Sequence, residues 1–490
     1  MRLKTYGDGR IVLAAVWFMM YLFIANRLVL SPASCLTVLV GLTIYRIAQA
    51  RFRNPRSRAT SIRLVMNRTN ILAVIVAGFV FATPVHAQLN QTASADDTAR
   101  FLAGMQLPSD SPLAVLSQDP VIQQQAASID TAFAKVEEKQ LSKIRAWSAA
   151  NLTTSKPVMF YMFGGPDFLY ANAFFPNATT YVLSGLEPVG QIPDILKLQR
   201  WSVVQALRNI QASLRNILTL SYFITAHMSQ DLNAGPVNGT LPILYVFLAR
   251  SGYVIQDVSL VHLDEQGVLQ PGEGIRPWAP ARGVKIIFSK KDGPQKTLYY
   301  FSTNLEDLRG NTIALLRFNK SLGQGDSFIK SASYLMHSGN FSQVRNFILD
   351  NSSLILQDDT GVPVRLFDTA KWQLRPYGRY LGPIPMFQDM YQSKLNELFQ
   401  KNQPIPIDFG VGYRWYANES NLLLAIRSPG GPEVTAAISQ DASARSAEVE
   451  TAEAPKKPAY RPASRPKDEF RPDIPFFLFP FMLLAPQPPQ

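Results

Sequence analysis

The sequence predicts an α+β protein, with one or more antiparallel sheets packed by several helices, and three observations carry the prediction. Residues 120–147 and 194–231 repeat apolar side chains at three- and four-residue spacing, the period of an amphipathic helix. From Leu241 onward the pattern changes to short β-branched and aromatic runs bounded by turn residues. These runs come in pairs joined by short loops, as antiparallel hairpins do.

The elements follow in order. Asp119 is placed to cap a helix with Pro120 in its first turn, and Ile122, Ala126, Ile129, Phe133 and Val136 mark its buried stripe. "KPVMFYMF" reads as an inner strand, "GGPD" as the turn after it, and "TTYVLSGLEPVG" as a second strand with its own exit turn. A long helix starts near Asp194 and runs toward Asp231, with Leu207, Ile210, Leu214 and Ile217 on one side. "LPILYVFLAR" and "YVIQDVSLVHLD" are expected to form a hairpin, as are "GVKIIFSK" with "KTLYYFST" and "SSLILQ" with "VPVRLFDT". Two shorter helices are expected over roughly 326–347 and 386–401, and "PIDFGVGYRWY" and "NLLLAIR" close the domain as strands.

This α+β domain, residues 119–427, sits in a longer organisation. Residues 66–87 resemble a bacterial signal peptide: Arg68 supplies the positive start, residues 71–82 the apolar centre, and Val85 and Ala87 the small residues before a cleavage at Ala87 and Gln88. Residues 1–65 are then either an over-extended start, if translation begins at Met66, or a two-helix membrane hairpin, if it begins at Met1. Residues 88–118 read as a polar tether. Residues 428–490 read as a disordered linker of Ala, Pro, Glu, Lys and Ser that ends in the apolar tail "IPFFLFPFMLLAP". The protein is therefore expected in the periplasm or outside the cell, or anchored to a membrane if the first segments are retained. Residues 11–50 and the tail at 474–486 are its expected membrane contacts.

The charge bears on partners. The chain carries 48 basic and 36 acidic residues, but the excess is concentrated before residue 88, so the rest is nearly neutral. That removes the electrostatic case for a nucleic-acid partner. The single cysteine, Cys35, lies upstream of the signal, so an exported form has no disulfide to rely on and must be held by its core.

Motifs that carry chemistry are sparse. Asp359, Thr360 and Gly361 spell the triplet of pepsin-like proteases, with Asp368, Thr369 and Ala370 near a second copy. Such proteases bring two aspartates together from separate loops, whereas these stand close across one turn, so "DDTG" reads as turn chemistry. Ser327 and Lys330 have the Ser-x-x-Lys spacing of penicillin-binding proteins, and Tyr416 with Asn418 the Tyr-x-Asn, but "HSG" at 337–339 precedes that pair instead of following it. The histidines show no metal-ligand spacing, and neither a metal nor a cofactor is expected.

The densest signal is residues 160–175, with seven aromatics in sixteen positions where the chain-wide 11% gives about two. If the strands before "GGPD" and "GLEP" are parallel neighbours, Asp167 and Glu187 stand at one sheet edge, where sites of such sheets form. Three readings follow. The chain is foremost a binding or structural module, with the two carboxylates holding their turns; alternatively it is a hydrolase with Asp167 and Glu187 as acid and base. The third is a glycan-binding face made of Tyr161, Tyr170, Trp372 and Tyr377, which requires those rings to be exposed together.

Overall fold

The computed structural model describes residues 92–223, 235, 237–272, 281–307 and 309–428. The membrane and signal segments, the cleavage site at Ala87 and Gln88, His227, the linker and the apolar tail lie outside the described residues. Among the described residues no helix is long and apolar enough to cross a membrane.

The fold is α+β, as expected. Its helices are α1 (Ala95–Leu102), α2 (Pro120–Val136), α3 (Ser142–Asn151), α4 (Phe168–Phe174), α5 (Arg200–Leu220), α6 (Leu241–Arg250), α7 (Gly310–Ser321), α8 (Ser342–Asn351) and α9 (Ser393–Asn402). Its strands are β1 (Val158–Tyr161), β2 (Thr180–Gly185), β3 (Val254–Leu263), β4 (Leu269–Pro271), β5 (Arg282–Ser289), β6 (Lys296–Ser302), β7 (Gly325–Ile329), β8 (Ser352–Gln357), β9 (Trp372–Gly378) and β10 (Asn421–Arg427). All ten form one sheet in the order β4-β3-β5-β6-β2-β1-β7-β8-β10-β9.

Both flanks of the sheet are antiparallel, while the centre, β6-β2-β1-β7-β8, is parallel. From β1 the chain steps through α4 to β2 on one side. It later returns from β6 through α7 to β7 on the other side of β1, and steps outward through α8 to β8. The order of connection therefore reverses between β1 and β7. Alternate residues of the central strands feed two cores. Met159, Tyr161, Tyr181, Leu183 and Phe328 face α1 to α6, and Phe160, Val182, Ile329 and Ile355 face α7 and α8. Helices on opposite faces for opposite directions of travel are what right-handed crossovers require.

The end signals of α2 are realised: the Asp119 carboxylate accepts from the Val121 N–H at 2.9 Å, and Ile122, Ile129, Phe133 and Val136 are buried. The β5–β6 hairpin is also as expected. Several expectations are corrected. "PIDFGVGYRWY" forms no strand, only an isolated Val411–Arg414 bridge; the helix expected from Asp194 is α5, which ends at Leu220 with Ser221 left-handed; and the helix expected over 386–401 is a 3₁₀ turn, Pro385–Met390, followed by α9. The stretch before Asp119, expected as a tether, carries α1, whose Ala99, Phe101 and Leu102 enter the main core. "LPILYVFLAR" is α6, with Leu241 to Ala249 all buried. An apolar run with no polar side shows no period that distinguishes strand from helix, and Pro242 in the first turn was the local helix signal. The helix expected from Asp326 is instead β7, short 3₁₀ turns and then α8. "VPVRLFDT" is a 3₁₀ turn, so β8 pairs with β7 and β10.

Candidate functional site at the carboxyl edge of the parallel strands

In a sheet with a parallel centre, the loops leaving the carboxyl ends on either side of the switch point diverge, and ligands of such folds bind there. Here that point lies between β1, followed by "GGPD", and β7, followed by Lys330.

The local sequence explains the path after β1. At Gly164 a Cβ would lie 2.3 Å from the Tyr161 ring, so only glycine lets the chain turn against it. Asp167 then caps α4, its Oδ1 accepting from the Tyr170 N–H at 3.0 Å. The other oxygen accepts from the Tyr161 hydroxyl at 3.0 Å and pairs with the Lys330 ammonium at 2.9 Å. Asp167 is 0% exposed and Lys330 2%. The ammonium stands 4.6 Å over the Tyr170 ring and donates to the Ser221 carbonyl at the end of α5. Burial pushes the Asp167 carboxyl above its ordinary value, and Lys330 works against that shift. Tyr161 is pushed well up, by burial and then by the charge of Asp167.

β1 and β2 are parallel neighbours, Tyr161 opposite Leu183, so Asp167 and Glu187 do leave the same edge. Glu187 is buried as well. The Tyr300 hydroxyl donates to its backbone carbonyl at 2.7 Å, and its carboxylate lies against Gly165 and Gly185.

Beyond β8 stand two further buried carboxylates. Asp358 accepts from the Ser331 N–H at 2.8 Å and the Thr360 N–H at 2.9 Å. Asp359 accepts from the Tyr334 hydroxyl and from Asn421 Nδ2 at 3.0 Å. Burial, reinforced by the charge of Asp359, pushes the Asp358 carboxyl up to about 7. The chain between these anchors is strained: Ser331, Ser333 and Tyr334 have φ of 51°, 49° and 56°. Tyr413 holds it from above, its hydroxyl 2.8 Å from Ser333 Oγ and 3.2 Å from the Ser331 carbonyl. Phe387 lies between the rings of Tyr334 and Tyr413, at 5.1 and 5.4 Å.

The edge thus gathers Asp167, Glu187, Lys330, Asp358 and Asp359 as buried, internally bonded groups. "DDTG" is a turn, as read: the Asp358 carboxylate binds Thr360, and the Gln357 side chain closes on Val362. Ser327 lies within β7, bonded at 2.7 Å to Ser352 Oγ, so it and Lys330 do not share a helical turn. The rings of the glycan reading are not exposed together. Tyr161 and Tyr170 enclose Asp167, Trp372 is buried with the Arg427 guanidinium 4.6 Å above it, and half-buried Tyr377 packs on Trp147 at 5.0 Å. Each ring is already used in packing. Sequence reasoning missed Lys330 and Asp358 as members of the edge; the local hint was a charged residue just past the short apolar steps Phe328-Ile329 and Leu354-Ile355-Leu356. Among the described residues no group of three or more His, Cys, Asp or Glu side chains is placed to hold a metal ion.

Set against known proteins, the chain matches no family model, no curated protein and no solved structure.

Proposed function

We propose that this chain is an exported protein of the bacterial envelope or exterior whose folded domain serves as a binding or structural module. The observation that supports the reading is the burial of Asp167. General acid–base catalysis needs a carboxyl group within hydrogen-bond reach of substrate. Asp167 has no exposed surface, and its oxygens are taken by Lys330, Tyr161 and the first turn of α4. The hydrolase reading would need this helix cap and ion pair to come apart.

The test is the double variant Asp167→Asn with Lys330→Met, which removes the ionisable acid and its counter-charge while keeping their volumes. Thermal melts establish that it folds, and complementation of a deletion strain reads its role. Retained complementation is expected; a folded double variant that fails to complement overturns the reading. Export rests on the signal-like residues 66–87, and N-terminal sequencing of the envelope or secreted form is expected to begin at Gln88. A form that keeps residues before Ile71 removes that part of the proposal.

A further inference from the structure

Among the described residues the ion pair of Asp167 with Lys330 stands apart from the rest. In every other pair at least one side chain is 46% exposed or more, whereas here both are buried. Holding two opposite charges out of water is costly, and replacing them by neutral groups is often stabilising. The walls of the site are aromatic: the Tyr170 ring lies under Nζ, and the Tyr161 ring packs on Phe328 at 4.7 Å. The pair also joins segments far apart in sequence, the turn after β1 and the residue following β7, in a domain without a cysteine.

The two carboxylate oxygens have separate partners. Oδ1 accepts from the Tyr170 N–H, while Oδ2 accepts from the Tyr161 hydroxyl and faces Nζ at 2.9 Å. Nζ is itself held, by the Ser221 carbonyl and the Tyr170 ring. A nitrogen is thus fixed beside a carboxyl group that has one oxygen bonded as an oxyanion would be and the other as a leaving group would be. Such positioning removes the entropic barrier that keeps an amine and a free acid inert in water.

We infer that Lys330 and Asp167 condense to an amide, an isopeptide cross-link that ties the end of β7 to the start of α4. A proton first passes from Nζ to Oδ2, turning ammonium and carboxylate into amine and acid; burial, which raises the Asp167 carboxyl, favours the exchange. The Nζ lone pair then adds to Cγ, and the charge this places on Oδ1 is met by the Tyr170 N–H. A second proton moves from Nζ to Oδ2 and the Cγ–Oδ2 bond breaks, with the Tyr161 hydroxyl on the departing oxygen. One water leaves while the Cγ–Oδ1 carbonyl re-forms, and the step consumes no co-reactant. The product is neutral, and its carbonyl keeps the cap of α4. The ion pair is the state of the newly folded chain, and melts of Asp167 and Lys330 variants compare with that state. The inference does not rest on export, and a chain without the bond leaves the binding or structural reading untouched.

The test is peptide mapping of the full-length chain by mass spectrometry. In wild type, trypsin is expected to release a branched peptide that carries both Asp167 and Lys330 and is lighter than its two arms by one water. Asp167→Asn combined with Lys330→Met, which has no amine to react, is expected to give linear peptides alone. Tyr161→Phe keeps the ring and removes the hydroxyl. Purified unfolded in urea and then refolded, it is expected to form the link at least about tenfold more slowly than wild type treated in the same way. A wild-type chain that a thermal melt shows to be folded, and whose Asp167 and Lys330 remain in separate linear peptides, overturns the inference. So does a water-loss product joined through any other pair of residues.

Discussion

Asp167 and Lys296 hold opposite ends of the same buried helix. The Asp167 carboxylate receives the Tyr170 N–H at the start of α4, and the Lys296 ammonium, brought by the first residue of β6, donates to the carbonyls of Pro176 and Ala178 just past its end, at 2.5 and 2.8 Å. The signs are those the helix dipole favours, an anion at the first turn and a cation beyond the last. Seven residues are too few for a helix to persist alone, so these caps and the burial of Phe168, Tyr170 and Phe174 must supply its stability. Lys296→Met removes the donor and leaves two carbonyls short. The expected cost is about 1 to 3 kcal/mol in urea unfolding, with the slope unchanged.

Asp167→Asn probes the other end. Losing one member of a buried pair leaves the Lys330 charge uncompensated, a loss of about 3 to 5 kcal/mol, whereas replacing both members with neutral groups of like volume is often close to neutral. The single variant is therefore expected to melt far below wild type and the Asp167→Asn, Lys330→Met double variant to regain most of the difference. A single variant as stable as wild type would show that the pair contributes little.

The parts of this fold that could be read from sequence are those whose signals are local. Asp119 and Pro120 mark the start of α2 within three residues, and "KDGPQ" between two alternating runs marks the β5–β6 turn. Asp167 was legible as a capping residue because "GGPD" stands directly before an apolar run. Its ion pair was not legible, since Lys330 lies far along the chain and meets it only once β7 has docked beside β1. The same reason hid the parallel centre of the sheet. β1, β2 and β8 are buried on both faces and show short apolar runs instead of alternation, β7 ("GDSFI") buries Asp326 and Ser327 and reads as no strand at all, and nothing local tells any of them which neighbour it has. The helix α6 escaped for a related reason, being apolar on every side.

Two glycines with similar backbones separate strain from space. Gly252 has φ of +76° and nothing within 4 Å of an added Cβ, while Gly412 has φ of +66° and a Cβ there would lie 2.0 Å from the Asp358 carboxylate. Gly252→Ala carries only the left-handed backbone penalty, about 1 to 2 kcal/mol. Gly412→Ala adds an overlap with a fully buried group that cannot move without losing the Ser331 and Thr360 N–H bonds, and typical overpacking adds about 1 to 3 kcal/mol. Chemical denaturation of the two variants is expected to show Gly412→Ala as clearly the more damaging. Equal losses would mean that the loop over Asp358 yields freely.

The carboxyl of Asp358 gives the fold a pH dependence of definite sign. Burial first, then the charge of Asp359, raises it to about 7, against 3.8 when unfolded. The groups facing it are Asp359, Tyr161, Tyr334 and Tyr413, with the Ser331 and Thr360 N–H donors and the Thr360 hydroxyl; none of these is a cation. Below about pH 4 both states are protonated and the contribution to stability is complete. Between about 4 and 7 the unfolded chain releases the proton while the folded chain keeps it, so stability falls as pH rises; above 7 the contribution is gone. Asp359, also raised by burial, slopes the same way. His337, which burial pushes down to about 4, slopes the other way over part of the same range, so the Asp358 contribution is read as a difference: from pH 4.5 to 8 the urea midpoint of Asp358→Asn, which has no proton to lose, is expected to rise relative to that of wild type. Parallel curves for the two proteins would show that Asp358 ionises as readily in the folded state as in the unfolded one.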